Sequence, residues 1–149
     1  MPKFLSTKTY GHELGLSAVF RQWKAKSHCN LLHGYALSFK FTFEAEELDD
    51  RNWVMDFGGL SKLKGELQHL FDHKLVVAKD DPSLGFLVYL EKLGLAQVEI
   101  VDAVGCEKFA ELAANLATKI ITELGESERL RVVEVECSEH GANSAIYRP

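Results

Sequence analysis

Between Tyr35 and Phe43 the chain alternates. Tyr35, Leu37, Phe39, Phe41 and Phe43 are large and apolar, while Ala36, Ser38, Lys40 and Thr42 between them are small or polar. A period of two marks a strand with one buried face, so 35–43 is predicted to be a strand. Elsewhere the spacing turns helical. Leu60, Leu63, Leu67, Leu70 and Phe71 predict an amphipathic helix over 57–71, with Asp56 as its cap. Phe109, Leu112, Ala113, Leu116, Ile120 and Ile121 predict a longer helix over 106–124, ended by Gly125. A further helix is predicted over 82–92, with Pro82 in its first turn and Gly94 as its stop. AQVEIV (96–101), LRVVEVE (130–136) and SAIYR (144–148) read as strands. Residues 7–20 mix β-formers with Gly11 and Gly15, which predicts a strand with a bend or bulge. The acidic run EAEELDD reads as a solvated turn. This order is not a regular βαβ alternation. It predicts an α+β domain, an antiparallel sheet with helices on one face.

The 149 residues carry no internal repeat or low-complexity linker, so one domain over 1–149 is expected. A net charge of -5 leaves no basic excess to neutralise phosphates, which argues against nucleic acid as partner. Arg21, Lys24 and Lys26 still allow a local basic patch. No apolar run approaches the ~18 residues of a membrane span. The start, MPKFLSTKTY, lacks the apolar core of a signal peptide. Cys29, Cys106 and Cys137 cannot all pair with one another, and free thiols in a cytoplasmic protein are the expectation.

The densest chemistry lies in HCNLLHGYAL, His28 to Leu37. Three readings fit it: a zinc site, a catalytic cysteine, or the start of a strand rich in His and Cys. Cys29 reacts only as a thiolate, which needs a partner for its proton. FDHK, Phe71 to Lys74, offers one, since Asp72 can orient His73 for proton relay. Against that, a cysteine in a soluble domain is ordinarily a small buried hydrophobe. His12, His28 and His33 suggest a metal, but catalytic zinc needs three protein ligands and an open position. Glu134 and Glu136 share one face if Val133 and Val135 face the core. Glu136 is then either part of a solvated edge or a carboxylate that accepts two N–H donors from a planar heterocycle. Glu107, in the first turn of the last helix, could simply favour the helix dipole. Cys106 and Cys137 are read as structural.

Together these pieces resemble the 6-pyruvoyl-tetrahydropterin synthase and 6-carboxy-tetrahydropterin synthase family. The resemblance covers about 14–77 and 104–148. LSAVFR (16–21) is similar to a strand ending F-x-A-A-H-R, CNLLHGY (29–35) to C-x-x-L-H-G-H, and WVMDFGGL (53–60) to G-x-V-x-D-F-x-x-L. FDHK (71–74) is similar to a segment with L-D-H, VGCEKFA (104–110) to P-T-x-E-N-L-A, and VEVEC (133–137) to V-x-V-x-E-T. The chain closes over 145–148 as the family does. The resemblance implies a tunnelling fold: a four-stranded antiparallel sheet with two helices on one face, in trimers that stack into hexamers. An inserted segment is then expected around 76–103.

By the same resemblance, Cys29 would be the proton carrier, with Asp72 and His73 completing its relay. Glu136 would anchor the N–H edge of a pterin, and Glu107 would help position it. The family pocket lies between subunits. The implied activity takes 7,8-dihydroneopterin triphosphate to 6-carboxy-tetrahydropterin or its pyruvoyl counterpart, the former for 7-deazaguanine (queuosine-type) synthesis. The second reading is a non-enzymatic or differently reacting pterin- or purine-binding oligomer. The family holds zinc on three histidines, where it acts as a Lewis acid on the substrate side chain. Here those positions are Phe20, His33 and Tyr35, so only His33 is retained. His12 and His28 are the nearby replacements. On an unbroken strand His12 would lie ~26 Å from position 20, so it serves only if the chain reverses.

Overall fold

The computed structural model describes residues 2–149. Seven strands and three helices follow in the order β1 (Phe4–Tyr10), β2 (Leu16–Phe20), β3 (His33–Ala45), α1 (Ser61–Phe71), β4 (Lys74–Ala78), α2 (Leu84–Lys92), β5 (Val98–Val101), α3 (Cys106–Glu123), β6 (Leu130–His140) and β7 (Asn143–Tyr147). They build one sheet in the order β5-β4-β2-β3-β6-β7, with β1 paired to the far half of β3.

β3 organises everything else. Its predicted alternation is real and extends past both predicted ends. Leu37, Phe39, Phe41 and Phe43 are all fully buried on one face. β2 pairs antiparallel with its first half and β1 with its second, while β6 runs antiparallel along its other edge. The expected bend within 7–20 is the break between β1 and β2. Gly15 there adopts φ 77, the left-handed region that glycine enters without a Cβ clash.

The inward face of β3 is covered by α1 and α3. Phe39 meets Phe71 of α1 at 5.1 Å between ring centroids, Phe71 meets Phe109 of α3 at 5.0 Å, and Phe109 meets Phe20 of β2 at 5.1 Å. Burying each such ring contributes about 2–3 kcal/mol. This chain of rings carries the core out to the end of the sheet where β2 and β3 pair.

Two expectations need correction. The sheet is not four-stranded and antiparallel, because β4 pairs parallel with β2, and β5 parallel with β4. Nor do all helices share a face. Val76 and Ala78 of β4 enter the main core, whereas Leu75 and Val77 pack with Leu87 of α2 in a second cluster. Successive strand residues point to opposite faces, so α2 covers the outward side. The segment expected as an insertion is a β4–α2–β5 unit, with a parallel crossover added to an otherwise antiparallel sheet. Its first strand, LVVA after Lys74, was not assigned from sequence. A short strand buried on both faces shows no alternation to read.

Strand β6, between β3 and β7, also departs from its expected facing. A register shift opposite Thr42 and Phe43 sets Val132, Val135 and Cys137 inward, with Val133 only half-buried. That shift is a β-bulge, and it changes the parity of the residues before it. Glu134 and Glu136 do share the outward face, as expected.

Candidate functional site

The Cys29 loop joins β2 to β3. Residues 28–30 form a single 3-10 turn, capped by Ser27, whose hydroxyl accepts from the Cys29 amide at 3.3 Å. The Gln22 amide donates to the Cys29 carbonyl at 3.0 Å. On the other side of the thiol, the Asn30 side-chain amide donates to the Trp23 carbonyl at 2.7 Å and the Ala25 carbonyl at 3.2 Å. Cys29 itself is half-buried.

This loop is anchored to the β4–α2 turn by a buried ion pair. Arg21 Nε and Nη2 donate to the two carboxylate oxygens of Asp81 at 2.9 and 2.8 Å. Arg21 Nη1 donates to the backbone and side-chain oxygens of Asn30 at 3.2 and 3.0 Å. The Arg21 hydrogen bonds hold the Asp81 carboxyl below the ordinary carboxylate range, outweighing burial. Arg21 therefore belongs to a neutral pair, not to the basic patch the sequence allowed. Sequence reading missed Asp81 and Asn30. The Asp-Pro step at Asp81–Pro82 signals a turn, but nothing local signals a partner sixty positions away.

Asp72 and His73 form the expected pair. Asp72 Oδ1 lies 2.6 Å from His73 Nδ1. An Nδ1–H donated to the carboxylate fixes the tautomer with Nε2 free to accept a proton. His73 adopts φ 57. Non-glycine residues rarely enter that region, and such strain concentrates at functional positions. The imidazole opens into a cleft of about 350 Å³ that Ser17, Val19, Leu32, Leu90 and Leu95 also line. Ser17 and Val19 lie on the outward face of β2, so His73 is presented on that side. Cys29 makes no hydrogen bond to either residue of the pair within one chain.

The other end of the constellation faces inward. His33 and Tyr35 continue the inward face of β3, and Phe20 stands opposite His33 on β2. Phe20 is buried, with its ring 5.7 Å from His33 and 6.2 Å from Tyr35. His33 and Tyr35 meet edge to face at 5.4 Å. Burial pushes the Tyr35 phenol up, and nearby Glu139, Cys29 and Cys106 push it the same way. Cys106, at the start of α3, and Cys137, on β6, are buried free thiols. The neighbouring Cys106 thiol, and then burial, push the Cys137 thiol up. The sequence held these two to be structural, with no spacing to pair them. The fold brings them together beside Tyr35.

Glu136 lies elsewhere. It pairs in register with Lys40 on the outward face, and Ser144 donates to it at 2.7 Å. Cys137, its neighbour, takes the inward position. Glu107 is exposed in the first turn of α3, near Gly105, where a Cβ would meet Gln22 Nε2 at 2.7 Å. Gln22 in turn donates to the Val104 carbonyl at 2.6 Å, which ties this turn to the Cys29 loop.

The residues do not fit the zinc that the resemblance implies. Phe20 has no donor atom and is locked against Phe109. His33 Nδ1 lies 2.7 Å from the Leu31 carbonyl, so Nε2 is the one ligand atom this residue could offer, and it stands alone. His12 points its Nδ1 to the Ala36 carbonyl at 2.5 Å, and His28 is exposed in the 3-10 turn. Among the described residues, no group of three or more His, Cys, Asp or Glu side chains is placed to hold a metal ion.

The fold is thus an α+β sheet-and-helix domain with a thiol, an aspartate-histidine pair and an aromatic wall at one end of the sheet. The chain belongs to the family described as 6-pyruvoyl tetrahydropterin synthase, whose model matches residues 12–149. Two relatives are named 6-carboxy-5,6,7,8-tetrahydropterin synthase. The chain is 28% identical to one from Rickettsia bellii over 116 residues, covering 76% of this chain and 80% of that one. It is 27% identical to one from Aquifex aeolicus over 137 residues, covering 90% and 84%. An uncharacterized protein from Wolinella succinogenes has a similar structure, with a TM-score of 0.84 at 20% identity over 99% of both chains. The 6-pyruvoyl tetrahydropterin synthase of Plasmodium falciparum matches with a TM-score of 0.70 at 12% identity, over 99% of this chain and 98% of that one. At these identities the structural matches establish the fold. Among the described residues, no helix is long and apolar enough to cross a membrane.

Proposed function

We propose that the protein is a pterin-forming lyase that acts on 7,8-dihydroneopterin triphosphate to give 6-carboxy-tetrahydropterin for 7-deazaguanine synthesis, and that it does so without the family's zinc. The single observation that carries this reading is the Asp72–His73 pair. Its imidazole is oriented through Nδ1, exposed, and held at a strained backbone position. A protein that merely binds a ligand has no use for such a proton relay. The family match and the names of the two relatives support a pterin-synthase reaction.

In this reading Cys29 exchanges protons with the substrate side chain and His73 passes them on. The site is completed between two copies of the chain in a homo-oligomer, a trimer or hexamer. That accounts for a relay whose imidazole opens on the outward face while the thiol neighbours Tyr35. Glu136, held by Ser144 on the outward face, anchors the heterocycle's N–H edge across that boundary, with Glu107 near it. Where metal ligands would stand, the Tyr35 hydroxyl is left as a hydrogen-bond donor to the substrate side chain, beside the Phe20 ring.

A second reading is favoured by one specific observation. Phe20 fills the position of a metal ligand with a buried ring, which suits a binder that has given up the synthase reaction. Turnover of 7,8-dihydroneopterin triphosphate decides between them. The first reading expects product from the wild type and none from Cys29→Ala or His73→Ala. Absence of turnover, with retained pterin affinity that Glu136→Ala weakens, would establish the second.

A further inference from the structure

The Cys29 loop has no regular structure except one 3-10 turn, yet it is held from both sides of the thiol. Its anchor lies in a different part of the chain. Asp81 sits in the turn before α2, with its side chain only 2% exposed. Its own turn holds it, through the Ser83 amide donating to Oδ1 at 2.8 Å. Its two oxygens take the fork of Arg21, a bidentate geometry that fixes the guanidinium in direction as well as distance. The remaining guanidinium nitrogen then reaches both oxygens of Asn30, the residue after Cys29. Asn30 uses its amide nitrogen to grip the backbone at Trp23 and Ala25, so every polar atom of that side chain is engaged. Nearby, the Trp23 indole donates to Asp80 at 3.2 Å, which adds a second tie between the same loop and the same turn.

We propose that Asp81 is a positioning residue for Cys29: through Arg21 and Asn30, the β4–α2–β5 unit sets where the thiol stands. Asp81 does not touch the substrate. It acts by removing the freedom of a loop that would otherwise sample many conformations, and small misplacements of a reacting group are expensive in rate. The inference rests on the reading that Cys29 does chemistry on a pterin substrate.

The test uses the full chain with Asn30→Ala, Asp81→Asn and Asp81→Glu. Asn30→Ala cuts the tie while leaving the buried ion pair intact, so it serves if Asp81→Asn does not fold. Two quantities are measured: kcat and KM with 7,8-dihydroneopterin triphosphate, and the rate at which iodoacetamide alkylates Cys29, read by mass spectrometry of its peptide. Cys106 and Cys137 are buried and do not compete. In Asn30→Ala and Asp81→Asn, kcat is expected to fall by about tenfold or more with KM within about twofold, because placement and not binding is lost. Alkylation of the released loop is expected to quicken about fivefold, and Asp81→Glu, which keeps the carboxylate, recovers part of both. Wild-type kcat and alkylation rates in a folded Asn30→Ala would overturn the proposal. So would losses in Asp81→Asn that merely follow its thermal stability. If the wild type itself shows no turnover, the proposed activity fails, while the alkylation rates still decide whether Asp81 positions the thiol.

Discussion

Two corners of the same sheet end have been built in opposite ways. At Phe20, His33 and Tyr35 the side chains face inward, the core rings run up to them, and every ring touches another. At Asp72, His73 and Asp81 the side chains are polar and ion-paired, and His73 is open to solvent. By the resemblance, the first corner takes the positions of metal ligands, and packing fills them. In the proposed reading, the second keeps groups that hold and move protons. On that reading the two parts of the site can change separately, because they sit on opposite faces of a strand pair.

Phe20→Ala removes a ring from the continuous core and is expected to cost about 3–5 kcal/mol in urea denaturation. Val19→Ala, one residue away but facing outward, is expected to change stability by only about 0.5 kcal/mol. Equal costs would show that the inward corner is not part of the core.

Asp81→Asn is expected to cost about 3 kcal/mol at pH 7, because it leaves Arg21 unpaired in a largely buried position. This cost depends on pH with a definite sign. The Asp81 carboxyl is held low by Arg21, so the folded chain binds that proton less readily than the unfolded one. The pair's stabilisation is full above the unfolded value, about pH 4, and is lost as pH falls through the depressed folded value. The stability gap between wild type and Asp81→Asn should therefore close in acid, measured by denaturation between pH 7 and 3. A gap that stays constant would mean that the carboxylate is not what stabilises the turn.

Asp72→Asn separates activity from stability. The pair is exposed, so its loss should change stability by less than about 1 kcal/mol. The same change frees the imidazole to take the wrong tautomer, and turnover should fall by about 100-fold. Smallest of all is Tyr35→Phe, which keeps the ring contacts and removes only the hydroxyl. It should alter stability by about 0.5 kcal/mol or less, with any larger effect confined to kcat.

Much of this was legible in the sequence. The alternation of β3, the helical spacing of α1 and α3, and the stops at Gly94 and Gly125 all describe local periodicity, and local periodicity survives folding. The parallel pairing of β2 with β4 was not legible, because Ala18 and Lys74 meet only through tertiary structure. The inward turn of Val132 was not legible either, since a bulge shifts parity without leaving a residue-type signature. In the site, Cys29, Asp72 and His73 stood out as residue types in a motif. Whether they meet within one chain did not, because that depends on which face of the sheet each one takes. Asp81 was invisible for the same reason: its role is defined by Arg21 and Asn30, and the sequence gives no hint of that distance.

The most direct test of the central claim is turnover of 7,8-dihydroneopterin triphosphate by protein treated with a chelator, beside metal analysis of the same sample. Activity should survive chelation, zinc should be well below one per chain, and Cys29→Ala should abolish the reaction. Stoichiometric zinc together with activity that chelation removes and zinc restores would contradict that claim.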